Sequence, residues 1–258
     1  MASSVVKRLV RALIPAPVMI PLAAVRARRH SQRLNRQWGL DRLSRRLYDE
    51  LGPRVQAGPF AGLTLPREAL AEHLGPYLLG TYERELHDYW GTLAPGSVPL
   101  IVNVGSKLGY YAAGLSLKLG APAIAYDADP WARRATTSTA ALNAARVDVR
   151  GTCRRGDLLD LPPGALVVID CDGGEEALLR DPVPEGLAHS SVVLELHGPM
   201  LENDEMAERL RRTHHVHAVP SADAPPAPAH LEFLSEHERR LAVEEIRTPQ
   251  RWLLCRPR

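Results

Sequence analysis

Four carboxylates stand where short β-branched runs give way to turns: Asp127 after AIAY, Asp157 in RRGDLLDL, Asp170 after LVVI, and Glu195 two residues before His197 in SVVLELH. Carboxylates so placed accept hydrogen bonds from ligand hydroxyls and amines, and an imidazole beside them can take up a proton near neutral pH. A further motif, VNVGSKLGYY at 102–111, brings Asn103, Gly105, Ser106, Gly109 and Tyr110 together directly after an apolar run. Two glycines there let the backbone turn tightly and come close to a ligand. His214 offers a second imidazole, and Glu83 in GTYE another carboxylate.

These side chains need strands and helices to bring them to one rim. From Pro99 onward, short apolar runs alternate with helical patterns, the signature of a parallel sheet with crossover helices. The runs predict strands at 99–104, 123–127, 148–152, 166–170, 191–197, 214–219 and 251–256. Helices are expected near 107–119, 130–145, 175–180, 203–213 and 231–245. The fold class is therefore α/β: a Rossmann-like, seven-stranded, mostly parallel sheet with helices on both faces. Ahead of it, 1–96 forms a basic, helical accessory region, and 97–258 the ligand-binding domain. In the accessory region, apolar residues at three- and four-residue steps predict a helix over 31–51. GPFAGLTLP at 58–66 suggests a hairpin or edge strand, and a helix over 80–92 is opened by Thr81 as its cap. The proline-rich stretch 220–229 is irregular surface chain or a substrate lid.

In an open α/β sheet, ligands settle beyond the carboxyl ends of the strands. The Gly105 loop lies there, and a helix starting near Lys107 would point free N–H groups at a negative group. Its spacing is Gly-x-x-x-Gly, whereas a dinucleotide pyrophosphate is seated by G-x-G-x-x-G. The single carboxylate on the methionine end of S-adenosylmethionine fits such a loop. Asp127, about twenty residues further on, stands where a carboxylate accepts from ribose hydroxyls. Asp157 and Leu158 would lie on the adenine side, Asp170 near the sulfonium, and Glu83 over the methionine end. Each has a plainer alternative: Asp127 as a helix cap, Asp157 as a turn residue, Glu83 as part of a helix that merely covers the sheet. For proton removal His197 is the first choice, supported by Glu195, with His214 second; His197 could equally be a packing residue at a strand end.

VNVGSKLGYYAAGL, AYDADPWAR, the Asn143 region, RRGDLL, VVIDCDGGEEALL and VVLELH, in this order, resemble the FkbM-type S-adenosylmethionine-dependent methyltransferases of the class I fold. The resemblance runs from about Leu79 to His215. It implies methyl transfer, usually to a hydroxyl oxygen, with the cofactor loop at Gly105, the ribose carboxylate at Asp127 and the adenine-side aspartate at Asp157. Asn103 stands where the family generally has aspartate, and Asp172 where it often has glutamate.

The remaining composition narrows the partners. The chain has 258 residues and a formal net charge of +2, which gives no reason to expect a nucleic-acid partner. A small-molecule or glycan acceptor is expected, and oligomeric state stays open. Three widely spaced cysteines fit no disulfide framework or zinc knuckle and point to a reducing, cytoplasmic compartment. Lys7, Arg8 and Arg11 precede an apolar stretch at 12–25, but Pro15, Pro17 and Pro21 break it, and a spanning helix needs about twenty residues. This basic segment could lie on an anionic membrane surface; a helical collar packed on the main domain is the plainer expectation. A divalent metal held by Asp170, Asp172, Glu175, Glu195 and His197 is conceivable but not favoured. Two rival functions remain: a nicotinamide-dependent oxidoreductase, and a catalytically inactive nucleoside-binding or scaffold protein of the same fold.

Overall fold

In the computed structural model, which describes residues 16–201, 204–247 and 250–258, the most apolar runs of the sequence become the middle of a sheet. β1 (Ile101–Val104) and β4 (Leu166–Ile169) are buried at every position, as parallel strands covered on both faces must be. Around them lie β2 (Ala123–Tyr126), β3 (Val147–Arg150), β5 (Ser191–His197), β6 (His214–Pro220) and β7 (Gln250–Pro257). The order is β3-β2-β1-β4-β5-β7-β6. β7 runs antiparallel to both of its neighbours, β5 and β6, and the other pairings are parallel. The strands expected from sequence are all present, within two residues at each end. The fold is thus a Rossmann-like α/β sheet. It departs from the dinucleotide order 3-2-1-4-5-6 by the antiparallel strand wedged beside β5.

Crossover helices follow the expected periodicity: α5 (Tyr110–Leu119), α6 (Pro130–Leu142), α7 (Glu175–Leu179), α8 (Glu185–Ala188), α9 (Glu205–Arg211) and α10 (Glu236–Val243). Two cores result, one on each face of the sheet. Val102, Val104, Val167, Ile169 and Leu194 point into one; Ile101, Val168, Val193 and Trp252 point into the other. The second core also takes in Leu40, Leu47, Phe60, Leu78 and Trp90, so the N-terminal region packs directly on the face that carries Asn103, Asp170, Glu195 and His197.

That region departs from expectation in three places. The helix expected over 31–51 is two helices, α1 (Ala16–Gln37) and α2 (Leu40–Leu51), because Gly39 adopts a left-handed φ of 72° that ends the first. α1 docks through Arg28, whose Nε lies 2.5 Å from Asp129 and whose guanidinium sits over Trp131. The collar is present over its described part; residues 1–15, with Lys7, Arg8, Arg11 and Pro15, lie outside the described residues. Among the described residues, no helix is long and apolar enough to cross a membrane. The hairpin expected at 58–66 is reduced to one antiparallel bridge, Arg54 to Thr64, and Asn143 clasps Thr64 through both backbone groups.

The third departure concerns Thr81, which caps no helix. Gly80, at φ 72°, closes the short α3 (Gly75–Leu79) instead, and a Cβ there would lie 1.9 Å from the Ala57 carbonyl oxygen. The chain then passes through Glu83, itself left-handed at φ 47°, into a 3-10 turn, Arg84–Leu86, and α4 (His87–Thr92). A buried glutamate in that backbone conformation is uncommon, and such strain collects at functional sites.

Candidate active site

The chain leaves β1 toward β2 on one side, while β4 leads to β5 on the other. The crevice between the carboxyl ends of β1 and β4 is therefore the switch point where open α/β sheets bind ligands. Gly105 sits in it at φ 86°, and a Cβ there would fall 1.5 Å from the Asp170 carbonyl oxygen. No other residue fits. Gly109, at φ 74°, precedes α5 and lies so close to Thr136 of α6 that a Cβ would be 2.9 Å from its Cα.

Several sequence expectations are corrected on the β1–β2 side. The helix begins at Tyr110 rather than near Lys107, and the first three amides of the loop are already used. Gly105 N and Ser106 N donate to the Tyr126 carbonyl at 2.9 and 3.1 Å, and Lys107 N donates to Asp127 Oδ2 at 2.9 Å. β2 ends beside the loop, so its last carbonyl and next carboxylate reach these donors first. Ser106 Oγ is bonded to Thr136 Oγ1, which makes it a tie to α6.

Asp127 Oδ1 accepts from Asp129 N at 2.8 Å, so each of its oxygens holds one backbone N–H. Asp129, not Asp127, caps α6, accepting from Trp131 N. Burial raises the Asp127 pKa, against the lowering by these N–H groups. Asp157 is exposed and accepts from Arg154 N at 2.7 Å, the turn role. Leu158 is fully buried in the core of the opposite face and offers no side chain to a ligand.

His214 is also excluded as a base. It starts β6, at the amino rim of the sheet, where Thr213 Oγ1 and the carbonyls of Leu187 and Ser190 bind both ring nitrogens. It is completely buried. Counting ladder pairs, β6 meets the level of His197 only near its other end, through Gln250 and Arg251.

On the β4–β5 side the expected groups do converge. Ligand atoms of Glu83, Asp170 and Glu195 lie within 4.8 Å of one another, and so do those of Asp170, Glu175 and His197. Glu83 and Glu195 are buried. Burial raises the pKa of Glu195, and its hydrogen bond to Asp170 raises it further. Asp170 is raised by burial but lowered by that same bond. Two buried carboxyl groups this close disfavour double ionisation, so the pair tends to keep one proton between them. Glu83 is raised by burial, then by Asp170 and Glu245, while its Oε2 accepts from the Tyr111 hydroxyl. His197 Nδ1 lies 3.8 Å from Glu195 Oε2, and its Nε2 is shut from solvent without a hydrogen-bond partner among the described residues. Among the same residues, Asn103 Oδ1 and the Tyr110 hydroxyl are likewise buried and unpartnered.

Both carboxyl clusters have the hard-oxygen chemistry that could hold a divalent cation, or equally an organic cation. Glu175 is the less available member, because its two oxygens accept from Cys171 N and Gly173 N and so brace the loop after β4.

Four contributors had not been singled out from sequence. Lys107 takes a left-handed φ of 46° and reaches over the Tyr77 ring to within 3.9 Å of Glu72, with half its side chain still in solvent. Tyr77, then Glu72 and Asp170, hold its ammonium charged above the usual range. Glu72 is brought there by Ser44 of α2, whose hydroxyl donates to the Glu72 carbonyl and accepts from Leu74 N. Glu245 accepts from Glu83 N at 2.8 Å, and Arg247 pairs with both Glu85 and Glu245. Lysine inside the glycine loop was a readable signal; Glu245 falls at the end of the helix expected over 231–245, which stops at Val243, and Arg247 lies beyond it.

No family model and no curated protein matches the sequence. Among solved structures the chain is similar to precorrin-6y C5,15-methyltransferase from Geobacter metallireducens GS-15, with 11% identity, 65% of this chain and 83% of that one covered, and a TM-score of 0.46. It is similar also to the C-terminal domain of precorrin-6Y C5,15-methyltransferase from Rhodobacter capsulatus, at 16% identity, 67% and 87% coverage and a TM-score of 0.45. The human methyltransferase 10 domain containing protein gives 12% identity, 68% and 80% coverage and a TM-score of 0.42. At these values the likeness carries no argument about activity.

Proposed function

We propose that this chain is an S-adenosylmethionine-dependent methyltransferase of the FkbM type that methylates a hydroxyl oxygen on a small molecule, sugar or secondary metabolite. The observation that carries this reading is the charge of the switch-point crevice. Its polar wall is made of carboxyl groups, Asp127, Asp170, Glu83 and Glu195, while the Gly105 and Ser106 amides are spent on Tyr126 and the Lys107 amide on Asp127. Four carboxyl groups at the crevice disfavour the pyrophosphate of a nicotinamide dinucleotide. A sulfonium nucleoside with an α-amino group is cationic where the wall is acidic.

The residues present fit that cofactor. Asn103 Oδ1 is a buried acceptor with no partner, suited to an ammonium hydrogen. Asp127 keeps a second lone pair on each oxygen for ribose hydroxyls. Bound S-adenosylmethionine would supply an electrophilic methyl group, so the protein has only to align an acceptor oxygen and remove its proton. His197 Nε2 is the base in this reading, because it has no hydrogen-bond partner among the described residues and Glu195 stands at its other nitrogen. The three free thiols suit a reducing, cytoplasmic compartment.

Calorimetric titration of the purified protein tests the reading. S-adenosylhomocysteine should release heat and NADH should not; heat from NADH alone would overturn it. Asp127→Ala should weaken S-adenosylhomocysteine by about 1–3 kcal/mol through lost charged hydrogen bonds.

A further inference from the structure

Charge is divided unevenly along this chain. The first forty residues carry eight lysines and arginines and no aspartate or glutamate, which leaves twenty-four basic residues against thirty acidic ones in the rest. Five of the eight, Arg26, Arg28, Arg29, Arg33 and Arg36, belong to α1. Arg28 is taken up by Asp129, Gln32 and the Trp131 ring, and it fixes the helix to the start of α6. The other four are exposed, and among the described residues no hydrogen bond, ion pair or ring contact engages them.

Surface arginines elsewhere are answered by acids: Arg45 by Asp41, Arg150 by Asp148, Arg211 by Glu208 and Arg212 by Asp181. Those of α1 have only one another. Arg26, Arg29, Arg33 and Arg36 follow at three- and four-residue steps, so they form one row along the helix, with Leu22 four residues before it. Like charges so spaced repel and weaken the helix that carries them. The row from Leu22 to Arg36 is about 21 Å long at the rise of an α-helix. Apolar side chains bracket it, since Leu22 is 43% and Trp38 51% exposed.

A line of unanswered cations does not converge on one small anion; it suits a surface on which anions repeat. Nucleic acid and an anionic bilayer both offer that. The apolar bracket favours the bilayer, because tryptophan and leucine are the side chains that enter the boundary between headgroups and acyl chains. The stretch 12–25 leading into the row holds no charged residue, which suits the same boundary. The acidic remainder of the chain is repelled by such a surface, so the molecule approaches it with α1 foremost. We infer that the outer face of α1 docks on an anionic lipid surface, its four free arginines on the headgroups and Leu22 and Trp38 at the boundary beneath them. This goes beyond the methyl-transfer reading and stands without it. Arg28 holds α1 to Asp129, two residues past Asp127, so a docked chain keeps the rim of its crevice near the lipid.

Sedimentation of the full chain with phosphatidylcholine vesicles, with and without about 30% phosphatidylglycerol, tests this. Binding should need the anionic lipid and should fall as salt rises from about 0.1 to 0.5 M. Arg26→Gln, Arg29→Gln, Arg33→Gln and Arg36→Gln together should lower partitioning at least about a hundredfold, at about fivefold per charge. Glutamine at Arg45, Arg150, Arg211 and Arg212 removes the same charge from paired positions and should lower it by less than about tenfold. Equal loss in the two variants, or no binding by the wild type, overturns the assignment. A second readout uses the wild-type fold: tryptophan emission should shift to the blue on anionic vesicles, and Trp38→Phe should lose the shift. Emission that never shifts removes the boundary contact and with it the argument for lipid. A duplex oligonucleotide that displaces the chain from the vesicles, and no longer binds the α1 variant, would assign the face to nucleic acid instead.

Discussion

The two sides of the crevice differ in what their polar groups are doing. Around the turns after β1 and β2, the polar groups are tied to one another: Gly105, Ser106 and Lys107 amides, the Asp127 oxygens, the Ser106 hydroxyl and the Asp129 cap, with Asn103 Oδ1 and the Tyr110 hydroxyl left over among the described residues. Around β4, β5 and the Glu83 turn, carboxyl groups crowd together and His197 Nε2 has no hydrogen-bond partner among the described residues. A half so tied is a rigid platform that holds its few remaining acceptors in place. An unsaturated half carries a cost in stability that a bound molecule or a function must justify. The glycine motif is the more conspicuous feature in sequence, yet the chemistry lies across from it.

Substitutions can break this contrast, and the largest effect belongs to the scaffold. Gly105→Ala should abolish folding or cost upwards of about 4 kcal/mol, because a Cβ meets the Asp170 carbonyl in a left-handed backbone. Denaturant unfolding monitored by circular dichroism reads it directly; a loss below about 1 kcal/mol would mean the β1 and β4 loops are not in contact. The two histidines give the next largest separation. His197→Asn should keep the unfolding midpoint near that of the wild type and slow methyl transfer by about 10²–10⁴-fold, the range for losing a general base. His214→Asn should do the reverse, costing about 2–3 kcal/mol by leaving the Leu187 and Ser190 carbonyls without their donor, with turnover per folded molecule unchanged. Equal turnover in the two variants would remove His197 from the chemistry.

Much of the fold could be read in advance because β-branched runs and crossover helices obey short-range rules. LVVI and IVNV are central strands on apolarity alone, and Gly105 announces a turn. What could not be read is where a polar group finds its partner. That Tyr126 O reaches Gly105 N depends on the register of β1 against β2, which no local pattern encodes. His214 and His197 look alike in sequence, both next to apolar strand residues, but one starts its strand and the other ends it, and only the topology puts those ends on opposite rims. Gly39 cuts a helix that the apolar period alone would have continued, and Gly80, expected to open a helix, closes one. Glu245 and Arg247 enter the site because β7 runs antiparallel beside β5, carrying the segment before it back to the carboxyl rim.

The smallest effect is the most specific to the unsaturated half. Glu195 has a folded pKa raised above its usual carboxyl value by burial and by Asp170, so the folded chain holds a proton that the unfolded chain gives up above about pH 4–5. Stability contributed by such a group is complete below the unfolded pKa and is lost as pH rises toward the folded one. Glu83 and Glu245 are shifted the same way, the latter to about 7, so they add to this loss. The wild-type chain should therefore be more stable at pH 5 than at pH 8. Glu195→Gln keeps an N–H donor for Asp170 and cannot ionise, so it should flatten that dependence by at most about 1.4 kcal/mol per pH unit, the limit for one proton. Urea midpoints of both proteins at the two pH values measure this. Parallel pH profiles would place the shared proton elsewhere and make the β4–β5 side as internally settled as the glycine loop opposite.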